Sequence, residues 1–442
     1  MWNDLLGSNH GGSPSARNLS VLVWGLLFVG LTSAFAEDAK PNVILFMADD
    51  FGYECLSCDG SKDYQTPNLD RLAETGIRFE HCYANPVCTP SRDQIMTGRY
   101  NHRNYEGFGY LNPNETTFGN LLKQVGYRTA IVGKWQLSGD AQTVQDFGFE
   151  NHCLWNMHAY KVDETGRQLP DPETWRNRYW APALFIDGEW KLHSEDQYGP
   201  DICRDYALSF IDKHRDEPFF LYYPMMLTHD PFLPTPDSEG KGSQKENFTD
   251  MVEYTDKVVG QVINHLEELG LREKTLILFT GDNGTHRKIT TQTVHGEIKG
   301  GKAEMTDAGT RVPFIINWPG TTPSGIVLED LIDFSDFMPT LVELTGAKLP
   351  EDRVIDGRSF LPQIQGEKGN PRDWIFCHYW GNRGRTAEGS REFARDQRWK
   401  LYDDGQLFDI GNDPLEKSPL KELSPEAEAA RQKLQKAIES LH

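Results

Sequence analysis

The sequence predicts an α/β fold: a large mixed, mostly parallel sheet sandwiched by helices, followed by a smaller C-terminal α+β domain with an antiparallel sheet. Three observations carry this. Apolar runs of strand length alternate with helix-period patterns through most of the chain. The runs are continuously apolar, as strands are when helices cover both faces of a parallel sheet. Several runs end in polar residues, and open α/β sheets gather ligands just past the carboxyl ends of their strands. In order, Val43 to Met47 predicts a strand that ends in Ala48-Asp49-Asp50. TPNLDRLAETG predicts a helix with Thr66 as N-cap, Pro67 at the first helical position and Gly76 as terminator. Thr129 to Val132 is a strand running into Gly133-Lys134, and Phe219 to Tyr223 is another leading to His229. A helix from Met251 to Leu269 places Val258, Val259, Val262, Ile263 and Leu266 on one face, with Gly270 ending it. Leu276 to Phe279 is a strand running into Gly281-Asp282-Asn283. After about Gly357 the texture changes. Trp374 to Trp380, Trp399 to Tyr402 and Gln406 to Phe408 read as short strands, the last two joined by an Asp-Gly turn at Asp404-Gly405. A final helix opens at Ser424-Pro425 and carries Ala427, Ala430, Leu434, Ile438 and Leu441 at helical spacing.

Leu19 to Ala36 is an uninterrupted apolar block after Arg17 that ends in Ala-Phe-Ala, which predicts a cleaved signal peptide over 1–36. The competing reading is a single membrane anchor, because the block approaches the lower length for a spanning helix. Export implies a secreted or periplasmic protein, or a lysosomal one in a eukaryote. The rest divides into 37–357 and a C-terminal part, 358–442. A net charge of −21 argues against nucleic-acid binding, and means that an anionic substrate needs a local cationic pocket. Seven cysteines leave one unpaired if the others bridge; Cys88 is the candidate, and the pairing of the other six is not readable.

Asp49-Asp50 and Asp282-Asn283 offer hard oxygen donors at matching strand ends, suited to Ca²⁺ or Mg²⁺. Either pair alone reads equally as turn chemistry. Arg92, Arg99, Lys134 and Lys302 form a set able to hold a tetrahedral oxyanion, although any one of them is by itself an ordinary surface cation.

Cys88-Thr89-Pro90-Ser91-Arg92, followed by Met96-Thr97-Gly98-Arg99, resembles the signature of the type I sulfatases, whose fold is alkaline phosphatase-like. The Asp-Asp after the first strand, Gly133-Lys134-Trp135, Asp282-Asn283-Gly284, and Gly301-Lys302 with Arg311-Val312-Pro313 extend the similarity from about Pro41 to Gly357. The resemblance implies that Cys88 is oxidised to formylglycine by a formylglycine-generating enzyme, and that its hydrated aldehyde is the nucleophile. Asp49, Asp50, Asp282, Asn283 and modified Cys88 would hold a divalent cation, Ca²⁺ before Mg²⁺. Arg92 would stabilise the hydrate, Lys134 and Lys302 would bind sulfate oxygens, and His229 would face the leaving group, with His229 or Lys302 as proton donor. The expected reaction is release of sulfate from a sulfated carbohydrate or an aryl or alkyl sulfate ester.

The chain departs from the family at Gln136, where the usual residue is His; an amide hydrogen-bonds but carries no proton. Thr306 to Thr310 also replace the common Glu-Gly-Gly before Arg-Val-Pro. Cys55 and Cys58 are open to reading as a disulfide, a metal half-site or buried thiols, zinc being the least favoured. Gln136, His286 and His295 are further candidates to face the substrate. The tryptophans Trp155, Trp175, Trp180 and Trp190, with Arg167, Arg176 and Arg178, suit sugar stacking or, equally, cover for the sheet. Two other functions compete: a phosphomonoesterase or phosphodiesterase of the same metal-hydrolase superfamily, and a catalytically silent sulfated-glycan-binding homologue. The cysteine motif and the oxygen-rich site count against the first, and Gln136 alone favours the second.

Overall fold

The strand Asn42–Ala48 is buried along its whole length, and its side chains divide the core in two. Ile44, Phe46 and Ala48 join one hydrophobic cluster, and Val43, Leu45 and Met47 join the other. Burial on both faces explains why the run is unbroken by polar residues. In this computed structural model, which describes residues 40–137, 139–155, 160–162, 168–170, 178–240, 242–380 and 389–442, the strand lies inside a ten-stranded sheet. The strand order is Ile326–Asp333, Ile77–Tyr83, Arg311–Asn317, Thr275–Gly281, Asn42–Ala48, Phe219–Pro224, Arg128–Lys134, Asn151–Trp155, Ala183–Ile186, Glu189–Leu192. The strands from Thr275–Gly281 to Asn151–Trp155 are mutually parallel, so their carboxyl ends share one edge. Antiparallel strands flank them, which makes the sheet mixed. The segment expected to be a signal peptide, together with Arg167, Trp175 and Arg176, lies outside the described residues. No helix among the described residues is long and apolar enough to cross a membrane.

Pro67–Glu74, Gly199–His214 and Gln244–Glu268 cover one face of the sheet. Cys88–Thr97, Phe118–Gln124 and Phe337–Thr345 cover the other. Each fully buried large apolar side chain in these layers contributes about 1.5–3 kcal/mol. The long helix ends before Gly270, as the sequence predicts, but begins at Gln244, well ahead of Met251. Ser243 Oγ accepts from Glu246 N at 3.3 Å and Glu246 Oε2 accepts from Ser243 N at 2.7 Å, a reciprocal cap on a polar first turn that apolar spacing cannot reveal. Thr66 precedes Pro67 as expected, yet its hydroxyl donates to Asp70 Oδ1 at 3.0 Å and caps no helical N–H.

Ile375–Trp380, Ser390–Arg395, Trp399–Tyr402 and Leu407–Asp409 form an antiparallel sheet in that order. Ser390–Arg395 is additional to the sequence reading, since only Phe393 and Ala394 in it are apolar. Helix Pro425–Glu439, capped by Ser424, lays Ala427, Ala430, Leu434 and Ile438 on Phe376, Trp399 and Leu401. The opposite face of this sheet packs on Tyr83 and Leu331 of the main sheet. Arg395 Nη1 donates to both Asp307 carboxylate oxygens at 2.6 Å, so the joint also carries a buried ion pair. Lys40–His442 form one compact unit.

Candidate active site

Because the central strands are parallel, Asp49, Asp50, Lys134, Asp282 and Asn283 emerge on one edge, and the chain after Pro224 returns His229 to the same place. Backbone bonds hold the loops together: Asp282 N donates to Ala48 O at 2.8 Å, and Asp49 N donates to Leu227 O at 2.7 Å. Gly284 packs so tightly against the loop after Lys302 that a Cβ would lie 1.9 Å from Ala308 O, so no side chain fits there.

Cys88 is the first residue of helix Cys88–Thr97, not part of a free turn, and every residue of that helix is buried. Its position at a helix N-terminus favours an anion, because unpaired backbone N–H groups and the helix dipole both point there. The Ser91 hydroxyl donates to Asn85 O at 3.1 Å and so stitches the incoming loop to the helix. Arg92 is 1% exposed; its Nη1 donates to Lys134 O at 2.9 Å and its Nη2 to Asp282 Oδ2 at 2.8 Å. Burial opposes its charge, but Asp282 and its neighbours outweigh burial and hold the guanidinium above its ordinary pKa.

Three buried carboxylates meet four cations here. Lys134 Nζ donates to both oxygens of Asp49 at 2.8 and 2.9 Å, and Arg178 Nη1 contacts Asp49 Oδ2. Lys302 Nζ donates to Asp50 Oδ2 at 2.7 Å, and Asp282 Oδ1 accepts from Asp50 N at 3.0 Å. Burial, reinforced by Asp49, pushes Asp282 up to about 6, whereas Lys134, His229 and Arg178 overcome burial to hold Asp49 well below the usual range. Asn283 Nδ2 donates to Asp50 Oδ1 at 2.9 Å, but Asn283 Oδ1 is buried with no hydrogen-bond partner. A buried carbonyl oxygen left this way costs about 1–3 kcal/mol, and it is the kind of donor a hard cation takes. Asp49, Asp50 and His229 can present ligand atoms all within 4.8 Å of one another, the one such group among the described residues. The donor set therefore fits a divalent cation.

A cavity of about 340 Å³ opens over Cys88, walled by Lys302, His229 and His286 and rimmed by Tyr105, Phe108 and Trp380. His229 Nδ1 lies 2.6 Å from Asp230 O, and His229 Nε2 lies 3.8 Å from Asp50 Oδ2. The His286 ring packs edge-on against Phe232, and burial lowers its pKa. Gln136 is buried in the left-handed region at φ 59°, its Oε1 has no hydrogen-bond partner, and it does not line the cavity. Replacing Gln136 by His is expected to add an ionisation to the pH profile of kcat; an unchanged profile would mean this position carries no proton.

Of the residues expected to meet the substrate, His229, His286 and Lys302 line the cavity; Arg92, Lys134 and Gln136 are buried and do not line it, and Arg99 and His295 lie elsewhere. Arg99 pairs with Glu115, and His295 is exposed at the tip of the hairpin Thr290–Thr293 with Gly296–Lys299. Arg178 joins the site unexpectedly: it is buried, sits 4.2 Å over the Trp155 ring and also donates to Met226 O at 3.2 Å. Trp155 thus supports the carboxylate cluster, and Trp190 packs against the main-sheet core. All seven cysteines are free thiols, which makes Cys55 and Cys58 buried and half-buried thiols rather than a disulfide.

The Sulfatase family model matches residues 41–347. The chain belongs to the sulfatase family. A second model, N-sulphoglucosamine sulphohydrolase, C-terminal, matches residues 301–442. The sulfatase is 30% identical to human steryl-sulfatase, over 86% of this chain and 84% of that one. It is 28% identical to the N-acetylgalactosamine-6-O-sulfatase of Bacteroides thetaiotaomicron, over 88% of this chain and 91% of that one. A solved structure of Ps i-CgsB in complex with k-i-k-neocarrahexaose superposes with a TM-score of 0.73 at 26% identity, covering 91% of this chain and 92% of that one. As a member of this alkaline phosphatase-like family, the sulfatase hydrolyses sulfate esters.

Proposed function

We propose that the substrate is a sulfated carbohydrate, cleaved by formylglycine made from Cys88 with Ca²⁺ as the resident cation. The observation that carries this is the head of the Cys88 helix at the base of a cavity walled by Lys302, His229 and His286. The aromatic rim of Tyr105, Phe108 and Trp380 suits the apolar face of a sugar ring; one similar protein is named for a sulfated sugar and another was solved in complex with k-i-k-neocarrahexaose. Formylglycine at position 88 supplies a hydrated aldehyde as nucleophile, and the divalent cation supplies charge against the sulfuryl oxygens. Asp49, Asp50, Asp282 and Asn283 Oδ1 would hold that cation; a set of buried protein oxygens suits Ca²⁺ better than Mg²⁺, which keeps several waters.

This chain's own side chains do the rest. Arg92 ties the Cys88 helix to Asp282 and to the Lys134 carbonyl, fixing position 88 against the carboxylates. Lys134 and Lys302 turn from Asp49 and Asp50 to the sulfate oxygens as charge builds there. Asp230 O orients His229 through Nδ1, which leaves Nε2 to deliver the proton to the departing alcohol. Residues 37–357 carry this chemistry and 358–442 support the cavity rim. The apolar block in 1–36 supports a secreted, periplasmic or lysosomal setting, in which a formylglycine-generating enzyme would meet the chain before or during export.

Mass spectrometry of the peptide containing Cys88, from a host with a formylglycine-generating enzyme, is expected to show thiol-to-aldehyde conversion. A free thiol at position 88 in active protein would sink this mechanism. Turnover of 4-nitrophenyl sulfate but not 4-nitrophenyl phosphate is expected, and the reverse preference would favour the phosphoesterase reading.

A further inference from the structure

We propose that Cys153 and Cys203 are joined by a disulfide bond in the mature, exported enzyme. This rests on the exported setting proposed above, because structural disulfides form and persist in oxidising compartments. The Cys153 and Cys203 sulfurs lie 3.9 Å apart, across 50 residues of sequence. Cys203 Sγ is also 4.0 Å from Cys153 O, so it sits beside the strand backbone as well as beside the other sulfur. Closing to the S–S bond of about 2.05 Å takes about 2 Å, shared between two side chains.

Secondary structure sets the pair. Cys153 is the middle residue of strand Asn151–Trp155, and Cys203 is the fifth residue of helix Gly199–His214, which packs on that strand. Both belong to one core cluster and are at most 1% exposed. Ala207, one turn further along the helix, is fully buried and small enough to keep the helix close to the sheet. Other buried thiols face oxygen instead: Cys55 Sγ lies 3.3 Å from Thr285 Oγ1, and Cys377 Sγ donates to Asn85 Oδ1 at 3.4 Å.

The oxidant is itself a disulfide, that of a dithiol–disulfide oxidoreductase or of oxidised glutathione. One cysteine thiolate attacks it, forming a mixed disulfide and expelling one thiol. The second cysteine attacks the mixed disulfide, forming the Cys153–Cys203 bond and expelling the other thiol. Two protons and two electrons leave the chain, and the oxidant's S–S bond becomes two thiols. In the closed fold the Cys203 sulfur and burial hold the Cys153 thiol well above its ordinary pKa. Exchange therefore belongs to folding, before the helix settles on the strand, and the finished bond is shielded from reductants.

The bond ties together the two elements that grip Arg178. Trp155, two residues after Cys153, lies under the Arg178 guanidinium at 4.2 Å, and Gly199 N, four residues before Cys203, donates to Tyr179 O at 2.6 Å. Because the thiol form already seats Arg178 on Asp49, the cross-link prolongs the life of the site and leaves its chemistry alone.

The test sends residues 37–442 to a bacterial periplasm behind a standard secretory leader, so the outcome does not depend on 1–36; Lys40–His442 form one compact unit. The protein is acid-quenched, alkylated and mapped by mass spectrometry, and the Cys153 and Cys203 peptides are expected to be linked with loss of two hydrogens. Dithiothreitol during thermal unfolding should lower the wild-type Tm by about 5 °C, as fits loss of a cross-link over so long a loop, and leave the Tm of Cys153→Ala/Cys203→Ala where it is. Turnover of 4-nitrophenyl sulfate at 25 °C should be the same in both. Where alanine at both positions prevents folding, Cys153→Val/Cys203→Ala refills the core and serves instead. The proposal is overturned if folded periplasmic protein yields both cysteines alkylated, if either is linked to a third cysteine, or if dithiothreitol shifts wild type and variant alike. Retention of the full chain in the cytoplasm by its own residues 1–36 would overturn the exported setting and not the pairing. Linked protein without sulfatase activity would count against the Cys88 chemistry alone.

Discussion

Cys88→Ala is expected to lower kcat for 4-nitrophenyl sulfate by about a thousandfold or more, the loss typical when an enzyme's nucleophile is removed. The fold should survive. Cys88 is 2% exposed, but it contributes only a small side chain at the head of a helix held by Arg92 and Ser91. Shortening it costs on the order of 1 kcal/mol, which moves Tm by only a few degrees in a chain of this size. Cys88→Ser should behave like the alanine variant where the maturation enzyme accepts only cysteine. A sulfated alcohol on serine has no neighbouring hydroxyl to expel sulfate, so any residual turnover should stop after one cycle. A Cys88→Ala variant that kept a tenth of the wild-type rate would remove position 88 from the chemistry. A variant that unfolded would give Cys88 a structural role that its surroundings do not suggest.

The central strands and the strand-end residues are legible for the same reason. Two-sided burial forces continuous apolar runs, as in Asn42–Ala48, and the first polar residues after each run mark the edge where ligands collect. Elements whose stability comes from elsewhere are not legible. Ser390–Arg395 is held by ladder bonds to its neighbours on both sides and needs few apolar residues, and the start of the long helix depends on a polar cap. Within the site, the carboxylates and Cys88 follow from motif and spacing, but the pairings do not. Arg92 and Asp282 are 190 residues apart in sequence, and nothing in the spacing predicts that one closes on the other. Arg178 shows the limit most plainly. Beside tryptophans in an irregular stretch it reads as a sugar contact, and only its burial against Asp49 shows that it neutralises the ligand cluster. Its partner Asp49 lies 129 residues away in sequence, so no local pattern gives the pairing. His295 fails for the opposite reason, since proximity to Asp282 in sequence does not survive a hairpin that carries it out to solvent.

Asp282→Ala is expected to cost about 3–5 kcal/mol of stability in urea unfolding, besides abolishing turnover. Each oxygen of Asp282 has a separate role: Oδ1 accepts from Asp50 N at 3.0 Å, and Oδ2 accepts from Arg92 Nη2 at 2.8 Å. Removing the carboxylate strands a guanidinium that is 1% exposed with the Lys134 carbonyl as its remaining hydrogen-bond partner among the described residues, and an unpaired buried charge is the costly outcome. Asp282→Asn separates the two roles. The amide keeps the shape and one acceptor, so it should recover part of the stability, but it removes one of three negative charges around the cation. Its activity is therefore expected to stay at least about a hundredfold below wild type at ordinary Ca²⁺ and to rise as Ca²⁺ is added, while Asp282→Ala does not respond. If Asp282→Ala were as stable as wild type, the Arg92–Asp282 pair would not be what fixes the Cys88 helix to the sheet edge. If Ca²⁺ rescued neither variant, Asp282 would act through Arg92 rather than through the cation. Stability follows one oxygen's partner and metal response follows the carboxylate's charge, so the two measurements on two variants assign each role without relying on the other.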